Sequence, residues 1–319
     1  MIDEVLASLP RGSTGRGWLD TGATPDGQPV VIPVLIAKGA VSGQRLVVLG
    51  GVHGDEYEGP SAIATLIGAL DPATLRGEIV AVPVANPPAF ALSQRASPLD
   101  GLNLARTFPG LPAGSVTQRI AHVLTEEVLA KADFLIDLHS SGTHIEMPLL
   151  VGYRVGATAA SRTSREAALR FGAPVVWGHA SVAPGRSLSG PDSRGVPWLY
   201  TESPGGGWLN PHTAAVYRQG VVNVLRYLGM LPGDAPRCTP THELCGDGDV
   251  DTSLAAPVAG WLWHEIALLD SVERGQLLGT IRDTRGEVTC RVCAPAAGRV
   301  VLRRATPSVA AGDLLYLVT

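Results

Sequence analysis

Two short stretches place metal-binding side chains where apolar runs stop. LVVLGGVHGDEYEG, residues 46–59, closes an aliphatic run with glycines and then sets His53 and Glu56 three residues apart. DFLIDLHSSGTH, residues 133–144, places His139 directly after its own apolar run. Two imidazoles and one carboxylate suit a zinc ion and leave one coordination position open for chemistry. A third stretch, VPWLYTESPGGG at 196–207, carries Glu202 as a spare carboxylate. A carboxylate beside such a site can take a proton from water and pass it to a departing amine. Gly51 and Gly54 allow the close backbone approach or unusual dihedrals that a turn around a metal needs. Asp137 stands two residues before His139, on the same strand face, and is placed to orient a histidine from behind. His144 and Glu146 alternate along HSSGTHIE as rival donors and are assigned to a substrate loop. His179, in VVWGHAS, is a candidate pocket residue, whereas His122 falls in a helix and His212, His242 and His264 fall in turns or on the surface.

The segment QRASPLDGLNLARTFPG, residues 94–110, has no clear period and holds Arg95, Asn103 and Arg106. Guanidinium groups beside an acidic metal site point to an anionic ligand, and a guanidinium matches a carboxylate in bidentate fashion. A small substrate with a free carboxylate is the expected partner.

These tips need elements that bring them together. Residues 28–37, 46–51, 78–87, 133–140, APVVWG and VPWLYTES read as strands, several of them apolar on both faces as in parallel sheets. Residues 59–70, 115–132 and 213–231 read as helices, with Pro60 in a first turn and Ser115 at a cap. Alternation of the two predicts an α/β fold with a mostly parallel or mixed central sheet and helices on both faces. Ligands of such sheets sit outside the carboxyl ends of the strands, so the three polar tips share one rim if their strands are neighbours.

A boundary follows. Residues 1–235 read as the α/β domain that carries the candidate metal site, the turn-rich 236–253 as a linker, and 254–319 as a small all-β domain. In the last part APVAG at 256–260 returns as APAAG at 294–298, and SVERGQLLGTI at 271–281 as SVAAGDLLYLV at 308–318. Each half is strand, turn, strand, glycine-marked turn, strand, which predicts pseudo-symmetry.

The 319 residues, 45% of them hydrophobic, suffice for one sizeable core and a smaller appended unit. The net charge of −4 gives no basic excess for nucleic acid or an anionic membrane. No apolar run is long enough to span a bilayer and no signal peptide is visible, so a cytoplasmic location is expected. Symmetric homo-oligomers are common among soluble proteins, but no stretch specifies an interface. Cys238, Cys245, Cys290 and Cys293 read as unpaired thiols, because the spacing of the first pair is too wide for a zinc knuckle.

Taken in order, GVHGDEYEG, DGLNLARTFPG, DLHSSG and TESPGGG resemble the succinylglutamate desuccinylase/aspartoacylase family, a branch of the zinc-carboxypeptidase-like hydrolases, over about residues 25–319. The resemblance implies a zinc-carboxypeptidase-like fold and one zinc ion per chain on His53, Glu56 and His139. It also implies Glu202 as the catalytic glutamate, and hydrolysis of an N-acyl amino acid to a carboxylate and an amine. Arg95 matches the arginine that polarises the scissile carbonyl, and Arg106 the one that binds the substrate carboxylate. The family's asparagine before that arginine is replaced by Ala105, and whether Asn103 compensates is left open. The resemblance further implies a C-terminal β domain with a biotinyl/lipoyl-like half repeat that caps or flanks the site. No lysine follows Lys131, which argues against a carrier role. The subgroup resembled is that of deacylases of small N-acylated diamino acids, such as N-acetyl-diaminobutyrate. A zinc carboxypeptidase for small peptides and an inactive binding or regulatory protein are the alternatives.

Overall fold

The computed structural model describes residues 2–246 and 248–319. The chain begins with helix α1 (Ile2–Ser8) and strands β1 (Ser13–Ala23), β2 (Pro29–Lys38) and β3 (Val41–Gly50). Helix α2 (Glu58–Ala69), strand β4 (Arg76–Val82) and helices α3 (Pro87–Ala91) and α4 (Val116–Glu127) follow. Next come β5 (Phe134–Leu138), the short β6 (Ile145–Glu146), β7 (Leu150–Arg154), α5 (Ala159–Phe171) and β8 (Val175–His179). Helix α6 (Ser189–Ser193), β9 (Trp198–Glu202), α7 (Pro211–Tyr227) and β10 (His242–Gly246) complete this part.

One mixed sheet of nine strands runs β1-β2-β4-β3-β5-β9-β7-β8-β10. Its centre, β4-β3-β5-β9, is parallel, and β7 joins β9 antiparallel. The aliphatic runs explain the centre, because successive side chains point to opposite faces and both faces are covered. Leu46 and Val48 of β3 enter a core with Ile63 and Leu66 of α2, Phe171 of α5 and Tyr217 and Val221 of α7. Val47 and Leu49 enter the opposite core with Ile2 and Leu6 of α1 and Ile120 and Leu124 of α4. Each such aliphatic side chain contributes about 1.5–3 kcal/mol on burial. Ser115 takes the cap position of α4 as expected, with its N–H donating to Gln118 Oε1 at 2.9 Å.

The C-terminal region is all strand: β11 (Leu254–Ala255), β12 (Gly260–His264), β13 (Ser271–Val272), β14 (Leu277–Arg282), β15 (Val288–Cys293), β16 (Gly298–Arg304), β17 (Ser308–Val309) and β18 (Leu314–Val318). Its two sheets run β11-β18-β16-β13 and β15-β14-β12-β17. Exchanging the first four strands with the last four converts one order into the other. The sequence echo is therefore a pseudo-twofold in which each half gives strands to both sheets.

Two connections tie this region to the large sheet. Glu146 and Ile145 of β6 pair with Arg303 and Arg304 of β16, and Arg303 Nε lies 2.6 Å from Glu146 Oε2. Residues 236–253, expected to be a linker, supply β10, which pairs in parallel with β8 at the edge of the large sheet. Leu244 of β10 packs with Trp177, Val301 and Leu317 in a shared core.

Candidate metal centre and active-site cavity

Strands β3, β5 and β9 are parallel neighbours, so their carboxyl ends lie side by side. Beyond β3 the chain turns at Gly51, whose φ is +61°. A Cβ there would press on Val84 Cα and Pro83 O at 3.0 and 3.1 Å, and one at Gly54 would fall on the backbone of Ala89 and Phe90. Glycine lets this turn pack against its neighbours and swing His53 and Glu56 back over the rim.

The arrangement there is specific. His53 Nδ1 lies 2.7 Å from Glu56 Oε1, and His139 Nδ1 lies 3.0 Å from Glu56 Oε2. One donor atom from each of the three residues lies within 4.8 Å of the others. The remaining ring nitrogens face outward, His53 Nε2 to Asn103 Oδ1 at 3.0 Å and His139 Nε2 to Asp137 Oδ2 at 3.2 Å. Asp137 also accepts from the Ser187 hydroxyl. Both imidazoles thus turn Nδ1 inward and hold an oxygen at the back, which fixes ring orientation for a metal ligand.

Electrostatics suit a cation. Burial disfavours the Glu56 carboxylate, but His53 and His139 outweigh it and hold its pKa well below the usual range. Burial and the Arg95 guanidinium press His53 down to about 4, leaving it neutral and able to ligate. Burial opposes a charge on His139, but Asp137 and Glu56, one at each ring nitrogen, raise its pKa well above the ordinary value. Its proton stands between two carboxylates, where a metal ion would replace it. These residues therefore fit a divalent ion bound by two nitrogens and a carboxylate.

The cavity beside this cluster is lined by Arg95, Arg106, His179, Trp198, Tyr200 and Glu202, among others. Trp198, Tyr200 and Glu202 alternate along β9 and so share its cavity face. Glu202 Oε2 is buried with no hydrogen-bond partner. Burial and the nearby Glu56 raise the Glu202 pKa to about 8. An unpartnered buried oxygen beside a cavity makes Glu202 a candidate functional group. Arg95 Nη1 reaches Glu56 Oε1 at 3.3 Å.

The Tyr200 hydroxyl meets His179 Nε2 at 2.8 Å, and its ring fills the space left by Gly152, its partner on β7. A Gly152→Ala variant should lose about 1–3 kcal/mol of stability, because the added methyl must displace the tyrosine ring. Its thermal midpoint beside that of the parent checks this.

The predicted site residues separate here. His53, Glu56 and His139 cluster, and Glu202, Arg95, Arg106 and His179 line the same cavity. Asn103 does not line it: its side chain is taken by His53 and by the N–H of Ala105 at 2.9 Å. His144 is exposed and lies 3.3 Å from the Thr306 hydroxyl, because pairing of β6 with β16 draws it toward the C-terminal sheets. Arg106 is engaged by Asp251, and Arg186 stands beside it. Tyr200 could have been found from its two-residue offset from Glu202; Arg186 and Asp251 carry no periodic or motif signal. All four cysteines are free, as expected.

Residues 42–228 match the succinylglutamate desuccinylase/aspartoacylase catalytic domain. The chain belongs to this family. It is a hydrolase of the succinylglutamate desuccinylase/aspartoacylase type. A relative from Halomonas elongata, N-alpha-acetyl-L-2,4-diaminobutyric acid deacetylase, is 31% identical over 293 residues, covering 91% of this chain and 85% of its own. The product-bound structure of the ectoine utilization protein EutE (DoeB) from Ruegeria pomeroyi is similar, with a TM-score of 0.88 at 28% identity over 98% of this chain and 97% of that one. A succinylglutamate desuccinylase from Silicibacter sp. TM1040 gives 0.87 at 27% identity, over 98% and 96% of the two chains. Both likenesses span the large sheet and the C-terminal strands together. Among the described residues no helix is long and apolar enough to cross a membrane.

Proposed function

We propose that this protein is a zinc-dependent deacylase that hydrolyses the amide bond of a small, carboxylate-bearing N-acyl amino acid, with an N-acetylated diamino acid as the substrate class. The observation that carries it is the buried, unpartnered Oε2 of Glu202, which lines the same cavity as the His53–Glu56–His139 cluster. The likeness to the Halomonas elongata deacetylase supports the choice of substrate.

His53, Glu56 and His139 would hold the metal. Bound there, zinc supplies Lewis acidity toward a carbonyl and makes water acidic enough to attack near neutral pH. Glu202 takes the proton of the attacking water and delivers it to the departing amine nitrogen. Burial favours the neutral form of this carboxyl, which suits it to carry the proton between the two steps. Arg95 donates to the acyl oxygen and offsets the charge that grows there. Arg106 takes the substrate carboxylate, which orients the amide. Gly248, Asp249 and Val250, just ahead of residues 254–319, line the cavity and narrow access to it.

Metal analysis should find about one zinc per chain. Amine release from a panel of N-acetyl amino acids, including N-acetyl-L-2,4-diaminobutyrate, should stop on chelation and return with zinc. Turnover of dipeptides in preference to every N-acyl amino acid would replace the deacylase with a peptidase. Turnover indifferent to chelation would remove the metal from the reaction.

A further inference from the structure

The arginine expected to receive the substrate carboxylate already holds one. Arg106 Nε lies 2.7 Å from Asp251 Oδ2, and its Nη2 lies 2.6 Å from Oδ1. Arg186 adds a second cation, with Nη2 3.1 Å from the same Oδ2 and 2.8 Å from Asp249 Oδ1. Both guanidiniums also donate to the Ala105 carbonyl, at 3.1 and 3.4 Å. A single carboxylate is thus gripped fork to fork by one arginine and bridged by another, the geometry a free carboxylate ligand receives. Arg106, Arg186 and Ala105 all line the cavity.

The cations and the anion differ in how they are mounted. Gly185 has φ +82°, and a Cβ there would meet the Arg106 carbonyl oxygen at 2.6 Å. The Phe108 N–H donates to the Gly185 carbonyl at 3.2 Å. The two arginine-bearing loops are therefore packed backbone on backbone. Asp251 sits on a 3-10 turn, Val250–Thr252, closed by its own bonds from Thr252 N to Asp249 O and from Ser253 N to Val250 O. The Asp251 side chain is 52% exposed. Rotation into water would vacate the fork of Arg106 and the Asp251 contact of Arg186, with Arg186 still held by Asp249 and the turn left in place. The bonds from Arg106 hold the Asp251 carboxyl down at about 2, so it is an anion throughout the neutral range.

We propose that Asp251 fills the carboxylate seat of Arg106 in the free enzyme, with Arg186 as the second cation on the same carboxylate, and that substrate enters by exchange with Asp251. This rests on the carboxylate-bearing substrate proposed above. It also accounts for Ala105, where the family pattern has an asparagine: Arg186 supplies the second donor. An internal competitor that occupies a seat nine-tenths of the time weakens ligand binding about tenfold.

The test is calorimetric binding of L-2,4-diaminobutyrate and of its carboxamide to the zinc-loaded protein. The parent should prefer the acid. Asp251→Asn should bind the acid about tenfold more tightly, and Arg186→Gln about tenfold more weakly, with thermal midpoints and zinc content unchanged. Weaker or unchanged acid binding by Asp251→Asn would make Asp251 a mere brace for Arg106 and overturn the exchange. Unchanged acid binding by Arg186→Gln, or no preference for acid over carboxamide in any of the proteins, would overturn the seat. A parent that prefers the acid but hydrolyses no N-acyl amino acid would sink the proposed reaction and leave the seat standing.

Discussion

Glu202→Gln is expected to lower kcat for an N-acyl amino acid by about 10³–10⁴-fold, the upper part of the range for a positioned acid–base group. The substitution keeps the volume and removes only the ability to take and return a proton. Zinc content should not change, because His53, Glu56 and His139 already form a complete donor set without Glu202. The fold should hold or become slightly more stable. A buried carboxyl without a hydrogen-bond partner at Oε2 is costly to ionise, and a neutral amide removes that cost. Single-turnover kinetics with elemental analysis of the same sample is the decisive pairing. Residual activity within tenfold of the parent would show that another group moves the proton. Loss of zinc would make Glu202 a ligand instead.

Glu56→Gln should have the opposite pattern. Glu56 is the one anion of the cluster, and its two oxygens meet both inward ring nitrogens. Replacing it leaves two imidazoles beside the Arg95 guanidinium, a poor place for a divalent ion. The purified variant should carry almost no zinc after dialysis and should not be rescued by added metal at concentrations that saturate the parent. Asn103→Ala and Asp137→Asn act one step further out, on the ring nitrogens that face away from the centre. Each should weaken zinc affinity by about 10–100-fold without abolishing it. Competition with a coloured chelator measures all three. If Asn103→Ala binds zinc as tightly as the parent, its contact with His53 does not orient the ring.

These groups were unequally visible in the sequence. His53, Glu56, His139 and Glu202 could be found because each follows a buried strand, and parallel strands deliver their carboxyl ends to one rim. The period of the apolar residues carries that information. The β repeat was equally plain, since its two halves keep the same glycine and apolar positions. What the pattern could not supply was long-range polar pairing. Arg106 and Asp251 are 145 positions apart, and neither lies on a periodic element. Asn103 was read as a substrate contact because an arginine-bearing loop suggests ligand binding, but only the folded loop shows its amide oxygen spent on His53. His144 lies toward the C-terminal sheets for a similar reason. Alternation along HSSGTHIE suggests a substrate loop, whereas the strand that follows His144, β6, pairs with β16. The last strand of the large sheet, β10, was hidden in a turn-rich segment because an edge strand needs few apolar residues.

The pairing of β6 with β16 also sets an order of events during synthesis. The loop that carries His139 runs directly into β6, and β6 finds its partner at Arg303 and Arg304. Chains fold from the N-terminal side as they are made, at about 5–20 residues per second. The large sheet can gather most of its strands early, but the far edge of the His139 loop must wait for residues beyond 304 to leave the ribosome. For roughly 10–30 seconds the nascent chain would own its metal ligands without the brace that finishes their rim. The brace that β16 gives to β6, and through it to the far end of the His139 loop, is thereby among the later contacts of this fold to form.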